Sequence, residues 1–214
     1  MICLVHSYPG ANEVVARNYP TWRNAGFERI IGIGTIDGGC TWPAGMESFT
    51  IGVNSYVNRD VLPRRLVDTV RYMTSLPGWD NACIIEYDVI MLKPFPAIPL
   101  GFSSPCKGGP QPWRLGQKFF HPPWVADRGS WDRILAGGEE CLRAGEFEGG
   151  SPDCFIGWVC EKHHIPIHEN TFSTYSRNTI DNLAWMQEAR QARLDGCHSI
   201  HGVKSRAAFD HILS

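Results

Sequence analysis

The chain lacks an excess of either charge: 20 Lys and Arg stand against 22 Asp and Glu, for a formal net charge of -2. That balance argues against a general nucleic-acid surface. Long apolar runs are missing too. The opening "MICLVHSYPG" is apolar only as far as His6, too short for a signal peptide or a membrane span, and no basic leader accompanies it. A soluble, cytoplasmic protein with no membrane span is expected. None of the eight cysteines forms a CxxC pair, which argues against a zinc knuckle. Without a secretory leader a disulfide framework is not expected either, so the thiols are read as mostly free. There is no internal repeat and no low-complexity tract.

What is present is an ordinary globular mixture, 43% apolar and 20% charged, punctuated by 22 Gly and 15 Pro. A chain of 214 residues suits one domain with a full core. Residues 2–6 read as a strand, followed by a turn and a helix that Pro20 is expected to break or restart. Residues 27–34 and 47–52 read as further strands. Residues 59–76 form the clearest helix, with Leu62, Leu66, Val70, Met73 and Leu76 on one face and Asp60 as its cap. Residues 82–92 follow as a strand.

This alternation predicts an α/β layered sheet whose functional loops lie at the carboxyl ends of its strands. His6, Asp37, Glu86 and Asp88 all fall at or just after such ends. The second half is richer in Gly, Pro and aromatics. It carries helices expected over 130–144 (capped by Ser130), 151–165 (capped by Ser151) and 180–194, a short strand at 165–170, a loop over 195–205 and a short final helix.

"ACIIEYDVIML", residues 82–92, sets two acids into the most hydrophobic segment. Burying a lone carboxylate costs several kcal/mol unless it is paired, hydrogen-bonded or metal-bound. In an extended chain Glu86 and Asp88 would point to the same side. They read either as strand-end acids that face solvent or an arginine, or as ligands for a hard cation such as Mg²⁺ or Mn²⁺.

An apolar strand, an acid–x–acid and then "VIMLKPFP" resemble the DxD region of nucleotide-sugar-dependent glycosyltransferases of the GT-A fold, with Glu86 in place of the first Asp. Size and order are also similar to the small glycosyltransferase domain of capsid-glycosylating proteins of large algal viruses, whose setting would be the host cytoplasm. The resemblance implies a GT-A-like mixed, mostly parallel sheet flanked by helices. It would form one domain over 1–214, with a nucleotide-sugar half (1–100) and a loop-rich acceptor half (101–214) that completes the metal and diphosphate site.

It implies Asp88 as metal ligand and Glu86 as metal or ribose ligand. His6, Ser7 and Tyr8 would face base and ribose, and Asp37 the base. In "HSIHGVKS", His201 would complete the metal shell and Lys204 would bind the diphosphate, with His198 the weaker candidate and Gly202 allowing close backbone approach. Imidazole with carboxylates suits Mn²⁺.

Asp153, in the first turn of a helix, is the implied general base of an inverting transfer, with Glu139 and Glu140 as backups. The alternative for Asp153 is a helix-start acid favoured by the macrodipole, which would also lower its pKa. Trp113, His121, Trp124 and Asp127 would line the acceptor. The expected activity is transfer of a hexose or deoxyhexose from a nucleotide-diphosphate donor, UDP favoured, to a glycan or glycoprotein acceptor, with Mn²⁺ or Mg²⁺.

Competing readings are a non-catalytic nucleotide- or sugar-binding module, a sugar-phosphate nucleotidyltransferase and a metal-dependent hydrolase. "SYPGANE" holds neither Arg nor Lys, which disfavours the nucleotidyltransferase. His163, His164 and His168 lack the spacing of a zinc site.

Overall fold

The computed structural model describes residues 1–52, 62–105, 120–147, 151–170, 173–175 and 183–214. The architecture is α/β and GT-A-like. A seven-stranded mixed sheet runs in the order β3-β2-β1-β4-β7-β6-β8. Its strands are β1 (Ile2–His6), β2 (Arg29–Thr35), β3 (Glu47–Ile51), β4 (Asn81–Glu86), β6 (Phe102–Ser104), β7 (Trp124–Asp127) and β8 (Ile167–Glu169). A second, three-stranded sheet joins β5 (Ile90–Met91), β10 (Ser199–His201) and β9 (Ser173–Tyr175).

Strands β1 to β4 are mutually parallel, so His6, Thr35, Ile51 and Glu86 end on one edge of the sheet. Strand β7 runs against both β4 and β6, which brings the end of β6 back to that same edge.

Side-chain alternation along β1 and β4 sorts the core into two layers. Ile2, Leu4, Ala82 and Ile84 face α2 (Leu62–Ser75), α3 (Arg128–Ala144) and α4 (Pro152–Lys162). Cys3, Val5, Cys83 and Ile85 face α1 (Asn12–Asn24). A third cluster, with Ile90, Ile200, Val203 and Ile212, packs the small sheet on α5 (Leu183–Leu194) and α6 (Arg206–Leu213).

Several local expectations need correction. Helix α1 runs through Pro20 without a break. The proline is exposed, while the flanking Asn18 and Trp22 are bonded to the main chain of residues 87–89, which holds the helix on both sides of the missing donor. Helix α3 is capped by Asp127, which accepts from Ser130 N, rather than by Ser130. Helix α4 begins as expected, with Ser151 as cap and Pro152 first. Strands β6, β7 and β10 lie within stretches that read as loops. Asp60, Trp113 and Cys106 fall outside the described residues.

Candidate functional site

Strand β4 ends at Glu86, and the chain then turns, with Val89 N donating to Glu86 O at 3.1 Å. Glu86 and Asp88 therefore converge through a turn, not through the alternation of one extended strand. Beyond the turn, β5 pairs antiparallel with β10, aligning Ile90 with Ile200. Val203 N then donates to Asp88 O at 2.9 Å. This pairing carries His201 to the acids across 115 residues of sequence: its Nε2 lies 3.1 Å from Glu86 Oε2 and 3.2 Å from Asp88 Oδ1. Lys204 Nζ stands 3.6 Å from Asp88 Oδ2, with its side chain 39% exposed and open to a ligand.

One ligand atom from each of Glu86, Asp88 and His201 falls within a mutual 4.8 Å, the only such grouping of three metal-ligating side chains among the described residues. The donor set fits a hard or borderline divalent cation: two carboxylates and one imidazole. Asp88 is only 1% exposed, and its Oδ1 accepts no well-aligned hydrogen bond among the described residues. A buried carboxylate oxygen in that state is suited to a cation.

Burial works against protonation of His201, but Asp88 and Glu86 outweigh it and lift the imidazole to about 10. Burial alone would raise Asp88, but His201 and Lys204 hold it below the usual carboxylate range. The metal-free chain thus places an imidazolium between two carboxylates, and a bound cation would replace that proton.

Asp153 completes the site from the other side. Phe155 and Ile156 seat α4 on the core, leaving Asp153 in its first turn and 9% exposed. Ser151 Oγ donates to its Oδ2 at 2.9 Å, and His121 Nδ1 lies 3.8 Å away. The ring of His121 also meets that of His201 edge-on, with centroids 5.6 Å apart. The expected helix-terminus lowering of Asp153 does not prevail. Burial, followed by the charge of Glu86, pushes it to about 8. A carboxylate tuned to that range is a better proton acceptor than an ordinary one.

The donor-side residues divide by exposure. His6 is buried and faces α2: its Nε2 lies 2.8 Å from Thr69 Oγ1, whose own proton goes to Arg65 O at 2.9 Å. The hydroxyl must then accept, so His6 carries its proton on Nε2. Burial and the neighbouring Arg65 keep it neutral. His6 is thus a buried support of the strand end, not a group turned outward to a base. Ser7 is fully buried, and its carbonyl accepts from Arg65 at 2.9 Å.

Tyr8 is half-buried and braced edge-on against Tyr87, with centroids 5.1 Å apart. Asp37 is exposed in the turn beyond β2. At the end of β2, Thr35 Oγ1 is buried with no hydrogen-bond partner among the described residues. Arg65 and Thr69 escaped the sequence reading. Their signal was a charged and a polar residue four apart beside the apolar stripe of α2.

Of the expected acceptor residues that are described, His121, Trp124 and Asp127, only His121 reaches the site. Trp124 is fully buried in β7, with its indole donating to Phe120 O at 2.8 Å, and it offers no open face. Asp127 pairs in register with Asn81 at the opposite edge of the sheet, where it caps α3 and accepts from Gly101 N. The backup bases are also elsewhere: Glu139 binds Arg71 and Glu140 binds Lys162, all on helix surfaces. His198 turns to Pro94 O and latches the small sheet.

No known family model matches the chain, and no curated protein matches it in sequence. No helix among the described residues is long and apolar enough to cross a membrane.

Proposed function

We propose that this chain is a metal-dependent glycosyltransferase, which moves a hexose or deoxyhexose from a nucleotide-diphosphate donor, UDP-sugar favoured, to a glycan acceptor. The observation that carries this reading is the meeting of Glu86, Asp88 and His201 at the carboxyl edge of a GT-A-like sheet, with Lys204 beside them. Bound there, Mn²⁺ or Mg²⁺ would neutralise charge on a leaving diphosphate.

The chain's own residues supply the rest. Glu86, Asp88 and His201 hold the cation. Lys204 brings a point charge to the phosphates. Tyr8 and Asp37, at the open ends of β1 and β2, face the nucleoside. Asp153 takes the proton of the acceptor hydroxyl, with Ser151 fixing its carboxylate and His121 lining the acceptor side. A base separate from the metal ligands suits single displacement with inversion.

The test is calorimetric titration with UDP and GDP, each with and without Mn²⁺. Tight binding of one nucleotide only in the presence of metal is expected, and Asp88→Ala should abolish it. Binding by Asp88→Ala equal to that of the unmodified chain would remove the metal assignment. Asp153→Asn should keep nucleotide affinity and lose transfer to acceptor.

A further inference from the structure

The two halves of the metal site come from distant parts of the chain, and one helix grips both. Helix α1 points Asn18, Thr21 and Trp22 at the acid-bearing segment. Asn18 Nδ2 donates to Tyr87 O at 3.0 Å, and Trp22 Nε1 donates to Val89 O at 2.7 Å. Thr21 Oγ1 accepts from Met91 N at 3.1 Å. Arg17 reaches the opposite way. Its NH1 donates to Lys204 O at 3.2 Å and its NH2 donates to Val203 O. Its Nε donates to Asn18 Oδ1 at 3.0 Å, which fixes the Asn18 amide with its NH₂ toward Tyr87. Phe209 of α6 supports the guanidinium from below, 5.0 Å from ring centroid to Cζ.

From this geometry we propose that Arg17 is a positioning residue for the metal site, one that touches neither metal nor substrate. Its fork holds the His201–Lys204 segment against Glu86 and Asp88. The planar guanidinium can serve two carbonyls and one amide oxygen at once, which an ammonium cannot do in a fixed geometry. The link runs from Lys204 O through Arg17 and Asn18 to Tyr87 O, between the two acids. Without it, the main-chain ties between the halves are the β5–β10 pairing, Leu92 N to His198 O before it, and Val203 N to Asp88 O beyond it. The importance of the link to metal binding rests on the glycosyltransferase reading; its role in holding the segment does not.

The experiment uses the full chain and two readouts. The first is Mn²⁺ affinity by calorimetry. Arg17→Ala should bind Mn²⁺ about tenfold or more weakly, the usual cost of removing a supporting contact behind metal ligands. Arg29→Ala, which removes an exposed pair with Glu47 at the opposite edge of the sheet, should stay within about twofold. Equal Mn²⁺ affinity in Arg17→Ala and the unmodified chain overturns the link to the metal.

The second readout is amide hydrogen exchange in the metal-free protein. Arg17→Ala should speed exchange at residues 199–205 while the amides of β1 and β4 keep their protection. No change at 199–205, or a uniform rise across the sheet, overturns the positioning role. If the unmodified chain itself fails to bind Mn²⁺, the glycosyltransferase reading falls, and the exchange pattern still decides Arg17.

Discussion

His201 holds a proton in the metal-free chain because Glu86 and Asp88 stand beside it, and burial followed by the charge of Glu86 lifts Asp153 to about 8, a rise that a cation bound at Glu86 would offset and so leave the carboxylate ionised for its role as base. In the metal-free chain both shifts act in the same direction on stability. The ordinary values are 6.5 for His201 and 3.8 for Asp153, and the folded values are about 10 and about 8. Between these values the folded chain binds protons that the unfolded chain has released, so stability falls as pH rises. The contribution of His201 is complete below 6.5 and is lost as pH climbs through about 10. The thermal midpoint of the metal-free protein should therefore drop across that window, and His201→Gln should flatten the slope. Mn²⁺ affinity should move oppositely and tighten with pH, because binding displaces about one proton. Calorimetry in buffers of differing ionisation enthalpy counts that proton directly; a count of zero would contradict a protonated His201.

At the scale of elements, Asp127 and Pro20 allow clear tests. Asp127 caps α3 and ties Gly101, at the opposite edge of the sheet from Glu86. Asp127→Ala should cost about 1–2 kcal/mol in urea unfolding and leave nucleotide affinity unchanged. Pro20 withholds a donor inside α1. Pro20→Ala should stabilise the protein by up to about 3 kcal/mol, the helix-interior difference between the two residues.

These elements also show what the sequence made legible. Strands β1, β2 and β4 were readable because each is a short apolar run bounded by turn residues, with helices between β1 and β2 and before β4. Strands β6, β7 and β10 were not, since each has three or four residues and their pairing partners are non-local. Asp127 was misjudged because an antiparallel strand reverses which of its ends meets the site, and direction is not written in one strand's composition. The acid pair and "HGVK" were legible as chemistry. Arg17 and Asn18 were not, because their partners are backbone carbonyls, which leave no mark on the sequence.

At the scale of the whole molecule two sheets meet at the turn Tyr87–Asp88–Val89, which β4 of the large sheet and β5 of the small one flank. A cation bound by Glu86, Asp88 and His201 would cross-link the sheets. Saturating Mn²⁺ should therefore raise the thermal midpoint, with about 2.7 kcal/mol gained at a hundred times the dissociation constant. Chelation should reverse the gain. A metal-independent midpoint would mean that no cation bridges the sheets.

The order of the strands along the chain has a consequence for biosynthesis. Every strand of the seven-stranded sheet lies before Asn170, whereas His201 and Lys204 follow roughly thirty residues later in the chain, on β10 and just beyond it. Domains fold as they emerge, amino-terminal parts first, at roughly 5–20 residues per second. The nascent chain can thus assemble its large sheet while Glu86 and Asp88 still face each other without their imidazolium. For that interval the two acids repel, and the arrival of His201 on β10 both relieves the repulsion and completes the proposed site. In a chain built in this order the proposed metal site cannot close until the segment that carries His201 has been made and has paired.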